Sequence, residues 1–126
     1  MYKVAKLKDF NIIKRSPQFI VEITEDVDKK FSTNYLRFIN GRDPVEEDKV
    51  CMINDGYSAL YVITKGELTF TFFENGKKEE ILLRNKERVF VTARTKYEIT
   101  GNGELLTICL PAYKEAMYSF PEKPQV

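Results

Sequence analysis

The chain has no histidine and no tryptophan, and only two cysteines among its 126 residues. The missing histidine excludes the most. It removes the commonest general base near neutral pH and the commonest metal ligand. No Ser-His-Asp or Cys-His arrangement can be assembled, and no histidine-based zinc or iron site. Two cysteines are too few for a disulfide framework. Cys51 and Cys109 sit inside the apolar runs KVCMI and LTICLPA, where cysteine packs as a small hydrophobe. Neither has a flanking histidine or a clear helix start to activate it.

Charge of one sign is also missing. Twenty basic residues face nineteen acidic ones, for a net charge of +1. Charge therefore gives no reason to expect nucleic acid or an anionic membrane as partner. No apolar run approaches the ~20 residues that span a bilayer, and no leader pattern or Asn-x-Ser/Thr acceptor appears. A cytoplasmic protein is the expectation. Long helical periodicity, internal repeats and low-complexity segments are absent as well.

What is there is an ordinary globular balance, 43% hydrophobic and 31% charged. A chain of this length can bury a core as one domain, without a metal or disulfide staple. The organising stretch is Ser58 to Leu83, SALYVITKGELTFTFFENGKKEEILL. It reads as a strand, a turn at Lys65-Gly66, a second strand, an Asn75-Gly76 turn and a third strand. Asn-Gly is the strongest short hairpin signal, because a type I′ turn needs positive φ at both positions. It sets Phe72 opposite Glu79, Phe70 opposite Ile81 and Leu68 opposite Leu83. Leu68, Phe70, Ile81 and Leu83 then share the core face.

Strands are also expected at Tyr2–Leu7, Phe10–Lys14, Gln18–Thr24, Asn34–Ile39, Val50–Ile53, Arg88–Thr92, Tyr97–Thr100 and Leu105–Leu110. Leu36 and Phe38 face one way, with Tyr35, Arg37 and Ile39 facing the other. Glu25–Lys30, Asn54-Asp55-Gly56 and Gly101-Asn102-Gly103 read as turns, and Gly41–Lys49 as a loop. Pro111 ends the last strand, and Tyr113–Phe120 fits one short helical turn. Many short strands with Gly and Asn turns predict an all-β barrel or jelly roll. Its core would span about residues 34–113, with N-terminal strands in 1–24 and a tail at 114–126.

Three segments carry a family resemblance. Leu60 to Leu68 (LYVITKGEL) resembles the cupins, where an apolar strand leads into a Gly turn. Val89-Phe90-Val91 followed by Tyr97-Glu98-Ile99 is similar in spacing to the second cupin motif. Cys109 to Tyr113 (CLPAY) resembles the strand-ending proline segment of small cupins. The resemblance implies a double-stranded β-helix, a homodimer and a small-molecule ligand, carbohydrate-like in kind. It does not carry the metal. Counting back from Gly66 puts Ala59 at the glutamate position, and Met52/Asn54 or Ile53/Asp55 at the histidine positions. The second motif's proline, glycine and histidine fall on Thr92, Arg94 and Tyr97. No metal ligand and no cofactor is therefore expected. Cyclic-nucleotide-binding domains have similar opening strands, but their phosphate-loop motif is absent around Ala93-Arg94-Thr95.

Four residues are candidates for binding a ligand. Tyr97 stands where the family has its last ligand, so it is expected to point inward, either to a ligand or as packing with one polar partner. Asp55 lies beside the barrel mouth in the same correspondence, either meeting a ligand hydroxyl or serving the Asn-Asp-Gly turn. Tyr61 occupies a strand face that can point inward. Arg37, the one cation in NYLRFI, either clamps an anionic group or pairs with a surface carboxylate.

The main reading is a metal-independent small-molecule binding protein. The alternative is a metal-independent isomerase, epimerase or lyase on a sugar-like substrate, with acid and base drawn from Tyr and carboxylates. A third is an interaction module with a filled barrel. An enzyme needs two titratable groups in one open cavity. A binding protein needs only the cavity. An interaction module needs neither, but shows an exposed apolar patch.

Overall fold

Asn75 and Gly76 adopt φ angles of 54° and 71°, the left-handed values that a two-residue hairpin turn demands. The structure, a computed structural model, describes residues 6, 10–24 and 31–126. In it this turn joins β5 (Ser58–Glu74) to β6 (Lys77–Arg84). Phe72 pairs with Glu79, Phe70 with Ile81 and Leu68 with Leu83, the expected register. Leu68, Phe70 and Leu83 are buried and Ile81 is half-buried, so the apolar face fixes the pairing as its chemistry requires.

The other strands are β1 (Phe10–Ser16), β2 (Phe19–Thr24), β3 (Ser32–Asp43), β4 (Cys51–Ile53), β7 (Arg88–Thr92), β8 (Lys96–Leu110) and β9 (Tyr118–Ser119). The one helical element among the described residues is a 3-10 turn at Glu115–Met117, within the span where a helical turn was expected. All pairings are antiparallel. The strands form one curled sheet, all-β as the sequence predicts. The strand expected at Tyr2–Leu7 (Lys6 apart) and the turn at Glu25–Lys30 lie outside the described residues.

Two expected turns are corrected. Lys65-Gly66 and Gly101-Asn102-Gly103 do not reverse the chain. Each lies in the middle of a long continuous strand, and the two strands pair from Ser58 opposite Leu110 to Phe73 opposite Lys96. Gly66 sits opposite Gly103, and Leu68 opposite Gly101. A Cβ on Gly66 would come within 2.5 Å of the Asn102 carbonyl oxygen, and one on Gly103 within 2.5 Å of the Lys65 carbonyl oxygen. The glycines therefore permit two backbones to bend against each other, which is a second physical reason for glycine inside a strand.

A register shift between Ile63 and Lys65 accompanies the bend. Before it Ala59, Tyr61 and Ile63 are buried, and after it Leu68 and Phe70. A bulge changes which residues face inward, so one strand serves both halves of the barrel. The N-terminal half of β5 pairs with β7 and the C-terminal half of β8, and its C-terminal half with β6 and the start of β8.

The expected loop at Gly41–Lys49 is shorter than its composition suggested, because β3 runs on to Asp43. Its register shifts between Phe38 and Gly41, and Asn40 takes a φ of 45°. A Cβ on Gly41 would meet the Gln18 carbonyl oxygen at 2.2 Å, so the β1–β2 turn packs directly on this bend. Residues 114–126, read as a tail, contribute β9, which pairs with β4, and the fully buried Met117.

The core fills the inner faces of both halves. Phe19 stacks on Phe38 with ring centroids 4.7 Å apart. Tyr61, Phe70 and Tyr97 form a second aromatic group at 5.2–6.5 Å. Each such ring contributes about 2–3 kcal/mol by burial. Phe70 and Phe73 are buried and Phe72 half-buried, whereas Phe90 is 53% exposed on the outer side of β7.

Candidate functional site

The barrel encloses an open cavity of about 650 Å³. Its walls come from the inner faces of β2, β3, β5 and β8, from Cys51 on β4 and from the segment after Pro111. Arg15, Glu46 and Lys49 add charge, and Phe120 and Tyr113 add aromatic surface. Phe19, Val21 and Leu36 form an apolar wall, while Asn34, Asp43, Cys51, Tyr61, Thr107 and Tyr118 bring polar atoms.

Asp43 reaches this cavity because the bulge at Phe38–Gly41 redirects the end of β3 onto the first half of β8, pairing Asp43 with Ile99. Cys51 lies on β4 opposite Tyr97, and its Sγ donates to Asp43 Oδ1 at 3.5 Å. Desolvation raises the Asp43 carboxyl from 3.8 to about 6, opposed by the Cys51 hydrogen bond and by Arg15 and Arg42. Burial and the neighbouring carboxylate push the Cys51 thiol well above its ordinary value. Cys51 is thus a protonated donor rather than a nucleophile.

Three tyrosines form a chain of hydroxyls. Tyr61 and Tyr97 share a short hydrogen bond, and Tyr61 also meets Tyr118 at 3.3 Å. Burial holds all three well above the usual phenol value, so they stay protonated at neutral pH. Tyr61 and Tyr118 line the cavity, and Tyr97 lies behind Tyr61, fully buried.

Of the four sequence candidates the structure brings together Tyr61 and Tyr97, but not Arg37 or Asp55. Tyr61 lines the cavity and Tyr97 contacts it through Tyr61. Arg37 points outward on β3, its side chain 52% exposed, and pairs with Glu104 at 2.8 Å. Asp55 is 73% exposed in its turn and pairs with Arg94 at 3.3 Å. Both therefore follow the simpler alternative at their positions, a surface ion pair and a turn residue.

Sequence reasoning did not single out Asp43, Asn34 or Thr107. The last two left a signal. Asn34 shares strand parity with Leu36 and Phe38, and Thr107 is the lone hydroxyl in LLTICL. Asp43 left none, since its orientation depends on the bulge.

The cavity does not fit the cupin metal. No histidine exists, Ala59 fills the glutamate position within the core, and no group of three His, Cys, Asp or Glu side chains could hold an ion among the described residues. Of the lining oxygen and sulfur donors, Cys51, Tyr61 and Tyr118 are held protonated by burial, which leaves only the carboxyls of Asp43 and Glu46 as anionic donors. No helix among the described residues is long and apolar enough to cross a membrane.

No protein-family model matches the chain, and no curated protein matches its sequence. Solved structures do match its shape. A Streptomyces PAC13 variant with uridine superposes with a TM-score of 0.77 at 13% identity, over 96% of this chain and 92% of that one. Pac13 is described as a unique nucleoside dehydratase. KdgF from Halomonas sp. gives 0.66 at 9% identity, over 93% and 97%. A Bacillus subtilis oxalate decarboxylase variant gives 0.73 at 8% identity, over 91% of this chain but 31% of the larger protein. With the curled antiparallel sheet and the two-strand ribbon that joins its halves, these likenesses establish a cupin-type β-barrel fold.

Proposed function

We propose that the protein binds a sugar- or nucleoside-like small molecule in its barrel and acts on it by metal-independent acid–base chemistry, as a lyase or isomerase. The observation that carries this reading is that Asp43 and Tyr61 line the same open cavity. A carboxyl raised to about 6 is largely ionised at pH 7 yet basic enough to accept a proton. A buried tyrosine that stays protonated is a suitable donor. The apolar wall suits a ring, and the polar row beside it suits hydroxyls or a heterocycle.

In an elimination, Asp43 takes the proton from a carbon next to a carbonyl. The electron pair forms the new double bond. The β-hydroxyl leaves with a proton from Tyr61, as water. Transfer of the Asp43 proton back to Tyr61 through the cavity resets both groups. In an isomerisation the proton returns to the substrate instead. The likeness to a nucleoside dehydratase over nearly the whole chain supports this class, while its low identity leaves the substrate to the cavity itself.

The test is proton NMR in D₂O with a panel of carbonyl-bearing sugar and nucleoside derivatives. The expected result is exchange or loss of the activated C–H with wild-type protein and none with Asp43→Asn. Binding without any exchange across the panel would reduce the reading to a binding protein.

A further inference from the structure

Tyr61, Thr107 and Asn34 form one row across three adjacent strands, since Thr107 pairs with Tyr61 on β5 and with Asn34 on β3. All three line the cavity. Asn34 is 5% exposed and Thr107 2%. Asn34 Nδ2 donates to Cys109 Sγ at 3.6 Å. Its Oδ1 has no protein partner, and neither has Thr107 Oγ1. Buried polar atoms are nearly always paired, and each unpaired one costs on the order of 1–3 kcal/mol. Two of them side by side on a cavity wall ask for a ligand.

The two open atoms define its chemistry. Asn34 Oδ1 only accepts, while Thr107 Oγ1 has a hydrogen to give. Neighbouring strands lie about 4.8 Å apart, within reach of a single planar group. The complement is a donor beside an acceptor, as on the N–H/C=O edge of a cyclic amide or imide. Such an edge satisfies both atoms and leaves no surplus hydrogen buried. The next row is apolar: Val21 pairs with Leu36, and both line the cavity. Those side chains offer a surface for the face of a flat ring.

We propose that Asn34 and Thr107 are a ligand-recognition subsite that reads the amide edge of a pyrimidinedione-type ring and holds the rest of the molecule beside Tyr61. This rests on the sugar- or nucleoside-like reading of the cavity and narrows it to a nucleoside.

The experiment is calorimetric titration of wild-type, Thr107→Val and Asn34→Ala protein with uridine, 3-methyluridine and D-ribose. Thr107→Val removes only the hydroxyl from a β-branched strand position, so its melting temperature should hold or rise in the empty protein. Uridine is expected to bind wild type, to lose about tenfold in each variant, and to lose a similar factor on N3 methylation. Equal uridine affinity in wild type and both variants would overturn the subsite while leaving the functional reading intact. Ribose binding that depends on Asn34 and Thr107, with 3-methyluridine as good as uridine, would overturn the amide assignment in favour of a diol. No binding of any probe to wild type at millimolar concentration would overturn the functional reading and the subsite with it.

Discussion

Cys51 donates its thiol hydrogen to Asp43 Oδ1 across 3.5 Å, tying β4 to the end of β3 inside the cavity. The bond stabilises an ionised carboxylate that desolvation otherwise disfavours, and desolvation wins, leaving the carboxyl at about 6. The folded chain therefore holds this proton more tightly than the unfolded chain does. Its contribution favours folding below pH 3.8, is lost as the pH rises towards about 6, and is level above. The loss is on the order of 2 kcal/mol, allowing for the solvent the cavity admits. Asp43→Asn should be more stable than wild type at pH 7.5, and the gap should close towards pH 4. Thermal melts of both proteins from pH 4 to 8 check this. A gap that does not change with pH would show that Asp43 titrates normally.

The same carboxylate predicts the pH profile of turnover. If Asp43 is the base, the rate should climb through about pH 6 as it ionises, then flatten. Initial rates on any substrate found by the NMR panel measure the profile. A rate that falls over this interval would assign Asp43 to the acid's role.

Tyr97→Phe removes the hydroxyl bonded to Tyr61 and leaves Tyr61 with Tyr118 at 3.3 Å. The fold should survive with a loss of about 1 kcal/mol. Turnover should fall more than ligand affinity, because Tyr97 does not line the cavity and acts by orienting Tyr61. Denaturant melts with parallel kinetics separate the two effects. An affinity loss with turnover per bound complex unchanged would place Tyr97 in direct contact with the ligand.

Glu98 is 7% exposed and accepts from Arg42 at 2.7 Å and Lys123 at 2.9 Å. It ties the chain's last residues to the outer side of β8. Glu98→Gln should cost about 2 kcal/mol, since two partly buried cations lose their counter-charge. Amide exchange in residues 118–126 should speed up ahead of the rest of the sheet. Unchanged exchange there would show that the β4–β9 pairing and the backbone bonds of Pro121 and Lys123 to Val50 and Asp48 hold the segment without Glu98.

Gly103→Ala should be far more damaging than Gly56→Ala. A Cβ on Gly103 meets the Lys65 carbonyl oxygen at 2.5 Å, whereas on Gly56 it meets nothing within 4 Å and faces only its φ of 88°. The expected costs are about 3 kcal/mol or more against about 1, compared by urea titration. Equal costs would mean that the strands separate freely at the bend.

The parts of the fold legible in the sequence are those fixed by local chemistry. Asn75-Gly76 dictates its own backbone, and counting outward from it sets the pairs of β5 with β6. Gly66 and Gly101-Asn102-Gly103 misled for the opposite reason. Glycine marks unusual backbone without saying whether the chain turns or another strand presses against it. That distinction rests on contacts between residues far apart in sequence. The site shows the same division. Tyr61 could be reached by strand parity, and so could Asn34 and Thr107. Asp43 could not, because a bulge three residues upstream resets the parity. Asp55 was drawn towards the site by a motif count that pairs residue types with positions, and Arg37 by being the one cation in its strand; the ion pairs with Arg94 and Glu104 place both at the surface.

The glycine-lined bend has a further consequence. Both halves of the barrel use the same two strands, so neither half owns a complete hydrogen-bond ladder. Among the described residues the ribbon of β5 and β8 runs through both halves, so a hinge between them would have to break it. Amides on the two sides of the bend, such as those of Ile63 and Ile99, should therefore exchange only with global unfolding and with a common free energy. The open cavity is instead bordered by Pro44, Glu46 and Lys49 and by Tyr113, Tyr118 and Phe120, all outside the ribbon of β5 and β8, so changes there can reshape its mouth and leave the ribbon intact.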